Sequence, residues 1–154
     1  MSKLIPLTQG KYAIVDDEDF DELSKHKWCL MFTKGRSYAV RRPSENLTIL
    51  MHRFILNPPK QMDTDHKNGD GLDNRRSNLR ACSRSDNMKN AGKHRNNTSG
   101  FKGVSFHKPN GTWMVRIRPQ KGIRKNLGYF KTPALAGACY LSAAEKMHGQ
   151  FARV

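Results

Sequence analysis

Residues 64–80 read Thr64-Asp65-His66-Lys67-Asn68-Gly69-Asp70-Gly71-Leu72-Asp73-Asn74-Arg75-Arg76-Ser77-Asn78-Leu79-Arg80, and Ser83-Arg84-Ser85-Asp86-Asn87 follow shortly after. The run is dense in Asn, Asp and Gly, residues that turn a chain by bonding nearby backbone or by tolerating positive φ. Residues 62–66 lead into this loop, and Leu79–Cys82 supply a return strand. Ser83, with Asp86 three positions on, is a variant of the capping box, so a short helix begins there. The order is therefore strand, long loop, strand, helix. A helix packed across such a hairpin carries Asn87 beside the Asp65-His66 pair.

Those three residues match the needs of phosphodiester hydrolysis. A hard cation must neutralise charge on the phosphate and on the leaving oxygen, and such a cation takes oxygen ligands, an aspartate carboxylate or an asparagine carbonyl. A neutral imidazole must take a proton from the attacking water, and histidine titrates near pH 6.5 when unperturbed. Adjacent residues on a regular strand face opposite ways, so the strand has to end or twist at Asp65-His66 for both to serve one site. The plain alternative is a polar, turn-rich loop with an incidental histidine.

Asp65-His66, then Asn78 in an Asn-Leu-Arg triplet, then Asn87, resembles the HNH nucleases with the ββα-metal fold, and most closely the phage and intron-encoded HNH homing endonucleases. The resemblance implies that His66 is the general base and that Asp65 and Asn87 bind one divalent cation, Mg2+ with Mn2+ as the alternative. It implies that Asn78 holds the loop in shape through bonds to backbone. The third letter is Asn87 rather than His, so zinc on histidines is not implied. His52, in Met51-His52-Arg53, matches a recurrent upstream position and joins the catalytic set. Two roles are open to it, contact with a phosphate or simple packing, and packing is favoured.

Outward from this segment, charge is unevenly spread. The 154-residue chain has 28 Lys+Arg against 13 Asp+Glu, a net +15. Residues 1–50 hold 8 basic and 7 acidic side chains, whereas residues 51–154 hold 20 and 6. A basic surface favours a polyanion, because neutralised phosphates release condensed counterions, so nucleic-acid binding is expected in the last two thirds. Residues 1–50 read as strand-rich: a strand at Tyr12–Val15, a helix from Asp16 through Leu23 burying Phe20 and Leu23, and a strand pair, Trp28 to Phe32 and Tyr38 to Val40, around Lys34-Gly35. The acids at 16–19 suit a helix N-terminus better than a metal site.

Residues 91–99 have no bulky apolar side chain and read as a basic linker. Beyond it, three strands are expected: one marked by Phe101, Val104 and Phe106, one with Trp113, Val115 and Ile117 alternating with Met114, Arg116 and Arg118, and one from Arg124 to Phe130. A helix capped by Thr132 and started by Pro133 runs to about Met147. Phe101-Lys102-Gly103-Val104, Trp113 through Arg118, Leu127-Gly128-Tyr129-Phe130 and the alanine-rich helix with Tyr140 resemble the APETALA2-type DNA-binding domain. The resemblance implies that the sheet lies in the major groove and carries Lys102, Arg116, Arg118 and Arg124 toward DNA, with Lys93 and Arg95 of the linker as phosphate contacts. Trp113 reads as core. Ser105 and Asn126 depart from the plant pattern, so no base preference carries over.

The expected fold is α+β: a strand-rich segment (1–50), a ββα-metal HNH module (51–90), a linker (91–99), and a three-stranded antiparallel sheet on one helix (100–154). The expected activity is metal-dependent hydrolysis of a phosphodiester in duplex DNA by a phage or mobile-element endonuclease. The alternative is a non-enzymatic DNA-binding protein, a repressor or decayed nuclease. A monomer in the bacterial cytoplasm is expected, with double-stranded DNA as partner and neither membrane nor small-molecule substrate. The three scattered cysteines suit neither structural zinc nor a disulfide framework, no apolar run reaches membrane-spanning length, and the start of the chain lacks a signal-peptide stretch.

Overall fold

Alternation of apolar and polar residues sets the first strands. In Tyr12–Asp16, Ala13 and Val15 are buried while Tyr12 is exposed, the period of two that a half-buried strand requires. This strand, β2, pairs antiparallel with β1, Ser2–Pro6. The computed structural model describes residues 1–33, 35–94, 96–120 and 122–152. They form two compact units, Met1–Arg84 and Ser85–Val154, in a mixed α+β arrangement of small antiparallel sheets and a few helices. Among the described residues, no helix is long and apolar enough to cross a membrane.

In the first unit, α1 (Asp17–Ser24) opens on Asp17, Glu18 and Asp19, buries Leu23 and lays Phe20 against the core. Trp28 Nε1 donates to the Leu23 carbonyl at 2.8 Å, an oxygen that also accepts the His26 N–H at 3.2 Å. Strands β3 (Cys29–Thr33), β4 (Arg36–Ser44) and β5 (Leu47–Leu50) form an antiparallel sheet in that order. The expected strand pair is present within it; Lys34 of its expected turn lies outside the described residues. A short helix, α2 (Met51–Leu56), follows, and Asn57 ends it in a left-handed conformation. Then β6 (Asp63–His66) and β7 (Leu79–Cys82) pair antiparallel, Asp65 opposite Arg80 and His66 opposite Leu79. One core joins Ile5, Ala13, Val15, Leu23, Trp28, Ala39, Met51, Ile55 and Leu79.

In the second unit, α3 (Arg84–Lys89), whose first residue closes the first unit, precedes β8 (Val104–His107), β9 (Thr112–Ile117) and β10 (Lys125–Phe130), an antiparallel sheet in the order β10-β9-β8. The helix α4 (Pro133–His148) packs on the sheet over a core of Val104, Val115, Ile117, Ala136, Tyr140 and Ala144. Thr132 caps it by accepting the Leu135 N–H. The first strand is shorter than expected. Phe101 lies outside it because Gly103, at φ +73° with its Cα against the Tyr140 ring, breaks the extended run. Trp113 is half-buried, packed against the core and edge-on to Phe106.

Candidate functional site

The loop between β6 and β7 is organised by its own side chains. Asn68 Oδ1 accepts the Asp70 N–H at 2.8 Å and Asp70 Oδ1 accepts the Leu72 N–H at 2.9 Å, turns that Asn and Asp make locally. Asn78 spans the loop: its Nδ2 donates to the Asp73 carbonyl at 2.7 Å and its Oδ1 accepts the Asn68 N–H at 3.1 Å. The loop also leans on β2, with Ile14 N–H donating to the Leu72 carbonyl at 2.8 Å and Asn74 N–H to the Ile14 carbonyl at 2.7 Å. Arg76 reaches the acids at the start of α1, at 2.7 Å from Asp19, 2.8 Å from Glu18 and, through its backbone N–H, 2.7 Å from Asp16 Oδ2. The acidic run thus tethers the loop. Gly71 passes so close to β4 that a Cβ there would lie 2.2 Å from the Ser37 carbonyl oxygen.

His66 ends β6 and is buried. Asn74, fully buried, donates through Nδ2 to the Leu72 carbonyl at 3.1 Å, which turns its Oδ1 toward His66 Nε2 at 3.4 Å. An amide oxygen can only accept, so this contact makes Nε2 the protonated nitrogen and leaves the lone pair on Nδ1. Burial lowers the His66 pKa, with Asn74 and the Asp65, Asp70 and Asp73 carboxylates opposing. The ring is therefore neutral at neutral pH. His52 on α2 stands edge-on to it at 4.8 Å between ring centres, and Tyr38 of β4 faces both. His52 is pushed down to about 3, by burial first and then by the charges of His66 and Arg53, and its Nδ1 is buried without a hydrogen-bond partner.

Asp65 is buried opposite Arg80, whose Nε and Nη2 both donate to Oδ2, at 2.8 and 2.6 Å. Within the first unit, then, His66 meets His52, Tyr38 and Asn74, Asp65 meets Arg80, and Asn78 binds loop backbone. Asn87 stands on α3 in the second unit. Sequence reasoning passed over Tyr38, Asn74, Arg76 and Arg80. Only Arg80 left a signal, since a hairpin register pairing His66 with Leu79 sets it across from Asp65.

Among the described residues, no group of three or more His, Cys, Asp and Glu is gathered to hold a metal ion. Mg2+ keeps several waters and is commonly held by only one or two protein carboxylates. The Asp65 carboxylate fits it in kind.

Of the basic residues expected on DNA, Arg116, Arg118 and Arg124 are exposed, and Arg116 and Arg118 alternate with the buried Val115 and Ile117. Lys102 is half-buried, its ammonium donating to the Lys89 carbonyl, and Lys93 donates to the Gly100 carbonyl at 3.2 Å. Arg95 lies outside the described residues.

Residues 57–89 match the HNH endonuclease family, which supports an HNH nuclease module in this stretch. Asp65, His66, Asn78 and Asn87 fall inside the match, and residues 100–154 fall outside it. No curated protein and no solved structure matches the chain.

Proposed function

We propose, from the match to HNH endonucleases across residues 57–89, that this chain is a metal-dependent endonuclease that hydrolyses a phosphodiester in duplex DNA. The observation that carries the reading is the buried, neutral His66, whose Nε2 faces the Asn74 carbonyl oxygen. His66 Nδ1 takes the proton of the attacking water, a role that needs a lone pair at working pH. By the family motif, Asp65 and Asn87 would be the oxygen donors to a divalent cation, Mg2+ or Mn2+. When bound, it neutralises charge on the phosphate and leaving oxygen. Arg80 fixes the Asp65 carboxylate, Asn78 keeps the loop's shape, and His52 packs behind His66. The hairpin and α3 are read as the ββα-metal unit, and the second unit as an APETALA2-like module presenting Arg116, Arg118 and Arg124 to DNA, with Lys93, Arg95 and Lys102 as flanking contacts. The source is a phage or mobile element, and the protein acts as a monomer in its host's cytoplasm.

One observation favours a second reading, a DNA-binding protein without cleavage: the Arg80 guanidinium on Asp65 Oδ2 sets a fixed cation beside the expected metal ligand. Incubation of supercoiled plasmid with wild type and Asp65→Asn, with Mg2+ and with chelator, separates the two. Nicked or linear product from wild type in Mg2+ alone supports the nuclease. Intact plasmid in every lane, with DNA retained in a mobility-shift gel, establishes the binder.

A further inference from the structure

The near-neutral charge of residues 1–50 conceals a segregation. Six of the seven acids lie at the end of β2 and on α1, with Glu45 in the β4–β5 turn, and five of the six are engaged there: Asp17 with Lys3 at 2.7 Å, Glu22 with Lys25 at 2.5 Å, and Asp16, Glu18 and Asp19 with Arg76. A group of basic side chains collects elsewhere. Lys25, His26, Lys27, Arg41, Arg42 and Pro43 line one pocket on the first unit, distinct from the residues around His66. Among the described residues, Lys27, Arg41 and Arg42 have no ion pair.

The pocket is built rather than incidental. The Arg41 guanidinium lies over the rings of Phe54 and Trp28, at 5.2 and 5.9 Å from their centres. Its Nε is buried with no hydrogen-bond partner, so the guanidinium's terminal nitrogens are the ones left to meet an anion. The register passes from Arg41 opposite Ile49 to Ser44 opposite Leu47, so β4 holds one extra residue at Arg42-Pro43. A bulge of this kind re-aims side chains, and it is a position where proline, lacking an N–H, fits inside a sheet. Lys25 is already paired with Glu22, but the Arg41 and Arg42 guanidiniums and the Lys27 ammonium around one depression repel one another until an anion neutralises them. Arginine's planar fork matches a phosphate. Trp28 is buried beneath Arg41 and offers no open face for a base, so the pocket suits backbone, which positions without reading sequence.

We infer that this pocket holds a backbone phosphate of duplex DNA, making the β3–β4 region a DNA contact additional to the C-terminal sheet. The inference rests on the duplex substrate proposed above. Strand β4 carries both ends of the arrangement: Tyr38 touches the His66 ring, and at about 3.3 Å per residue Arg42 lies roughly 13 Å farther along. That span is about four base-pair rises, so one duplex reaches both.

The test compares the full-length double variant Lys27→Ser/Arg42→Ser with Lys11→Ser/Lys60→Ser, which removes the same charge from exposed positions of the same unit. Fluorescence anisotropy on a short duplex, in chelator so that no strand is cut, is recorded over a salt series. Each phosphate contact contributes about 0.9 to the slope of log K against log salt, so the pocket variant is expected to flatten the slope by about 1 to 2 relative to the control. Equal slopes overturn the inference. So does equal slope combined with thermal stabilisation of wild type, but not the pocket variant, by inorganic phosphate at constant ionic strength, which assigns the pocket to a free anion. A wild type that binds with the steeper slope yet never cuts in Mg2+ leaves the pocket standing and removes the nuclease reading alone.

Discussion

At the residue scale, the pairing of Asp65 with Arg80 decides more than its two bonds. Both side chains are nearly buried, at 7% and 11% exposure, where removing one member leaves an uncompensated charge at a cost of about 3–5 kcal/mol. Arg80→Met is expected to lose stability of that order in urea unfolding, and Asp65→Asn added to it is expected to recover part of the loss. A double variant no more stable than Arg80→Met contradicts the pairing. His52 makes a second prediction. Burial holds its folded pKa near 3, whereas the unfolded chain titrates near 6.5. As pH falls, the unfolded chain takes up the proton first, so stability is complete above about pH 6.5 and declines toward the folded value. Burial gives His66 and His148 the same sign. His52→Phe keeps an aromatic ring against His66, and its Tm is expected to fall less than wild type's between pH 6.5 and 4.5. Parallel curves contradict this account of His52.

At the element scale, the hairpin, α1 and α4 were legible because their signals are local: turn residues in the loop, acids at the start of α1, and Thr132-Pro133 at the start of α4. The helix α2 was not, because Met51–Leu56 is too short to show a helical period. Nor was β1, where only Ile5 is buried and pairing with β2 makes the strand. Asn78's bonds across the loop follow from its motif. Asn74's hold on His66 does not, since it depends on the loop docking against Ile14 of β2, a contact distant in sequence. Gly71 tests the same loop's seat on β4. A methyl group there meets the Ser37 carbonyl at 2.2 Å and the Tyr38 ring at 2.7 Å, and backbone cannot yield as a flexible side chain does. Gly71→Ala is expected to lower Tm by several degrees, in line with the ~1–3 kcal/mol typical of overpacking, and to slow cleavage by displacing the loop from Tyr38. Wild-type Tm and rate would show that loop and strand are not in this contact.

At the scale of the whole molecule, charge is sorted by position. Asp16, Glu18 and Asp19 hold the β6–β7 loop to its scaffold through Arg76, while residues 51–154 carry 20 of the 28 basic side chains. DNA binding by the intact chain is therefore expected to weaken steeply with salt, and a binding constant unchanged between low and moderate salt contradicts a backbone-led interface. On the proposed reading, cleavage depends on residues of the HNH match and affinity on the cationic surfaces, so the two are expected to be separable by substitution. The most direct test is single-turnover cleavage of duplex DNA in Mg2+ by wild type and His66→Ala at saturating protein. The expected result is a loss of about 10²–10⁴-fold in rate, the range for a positioned proton acceptor, with unchanged DNA affinity. Equal rates for the two proteins would contradict the assignment of His66 as general base.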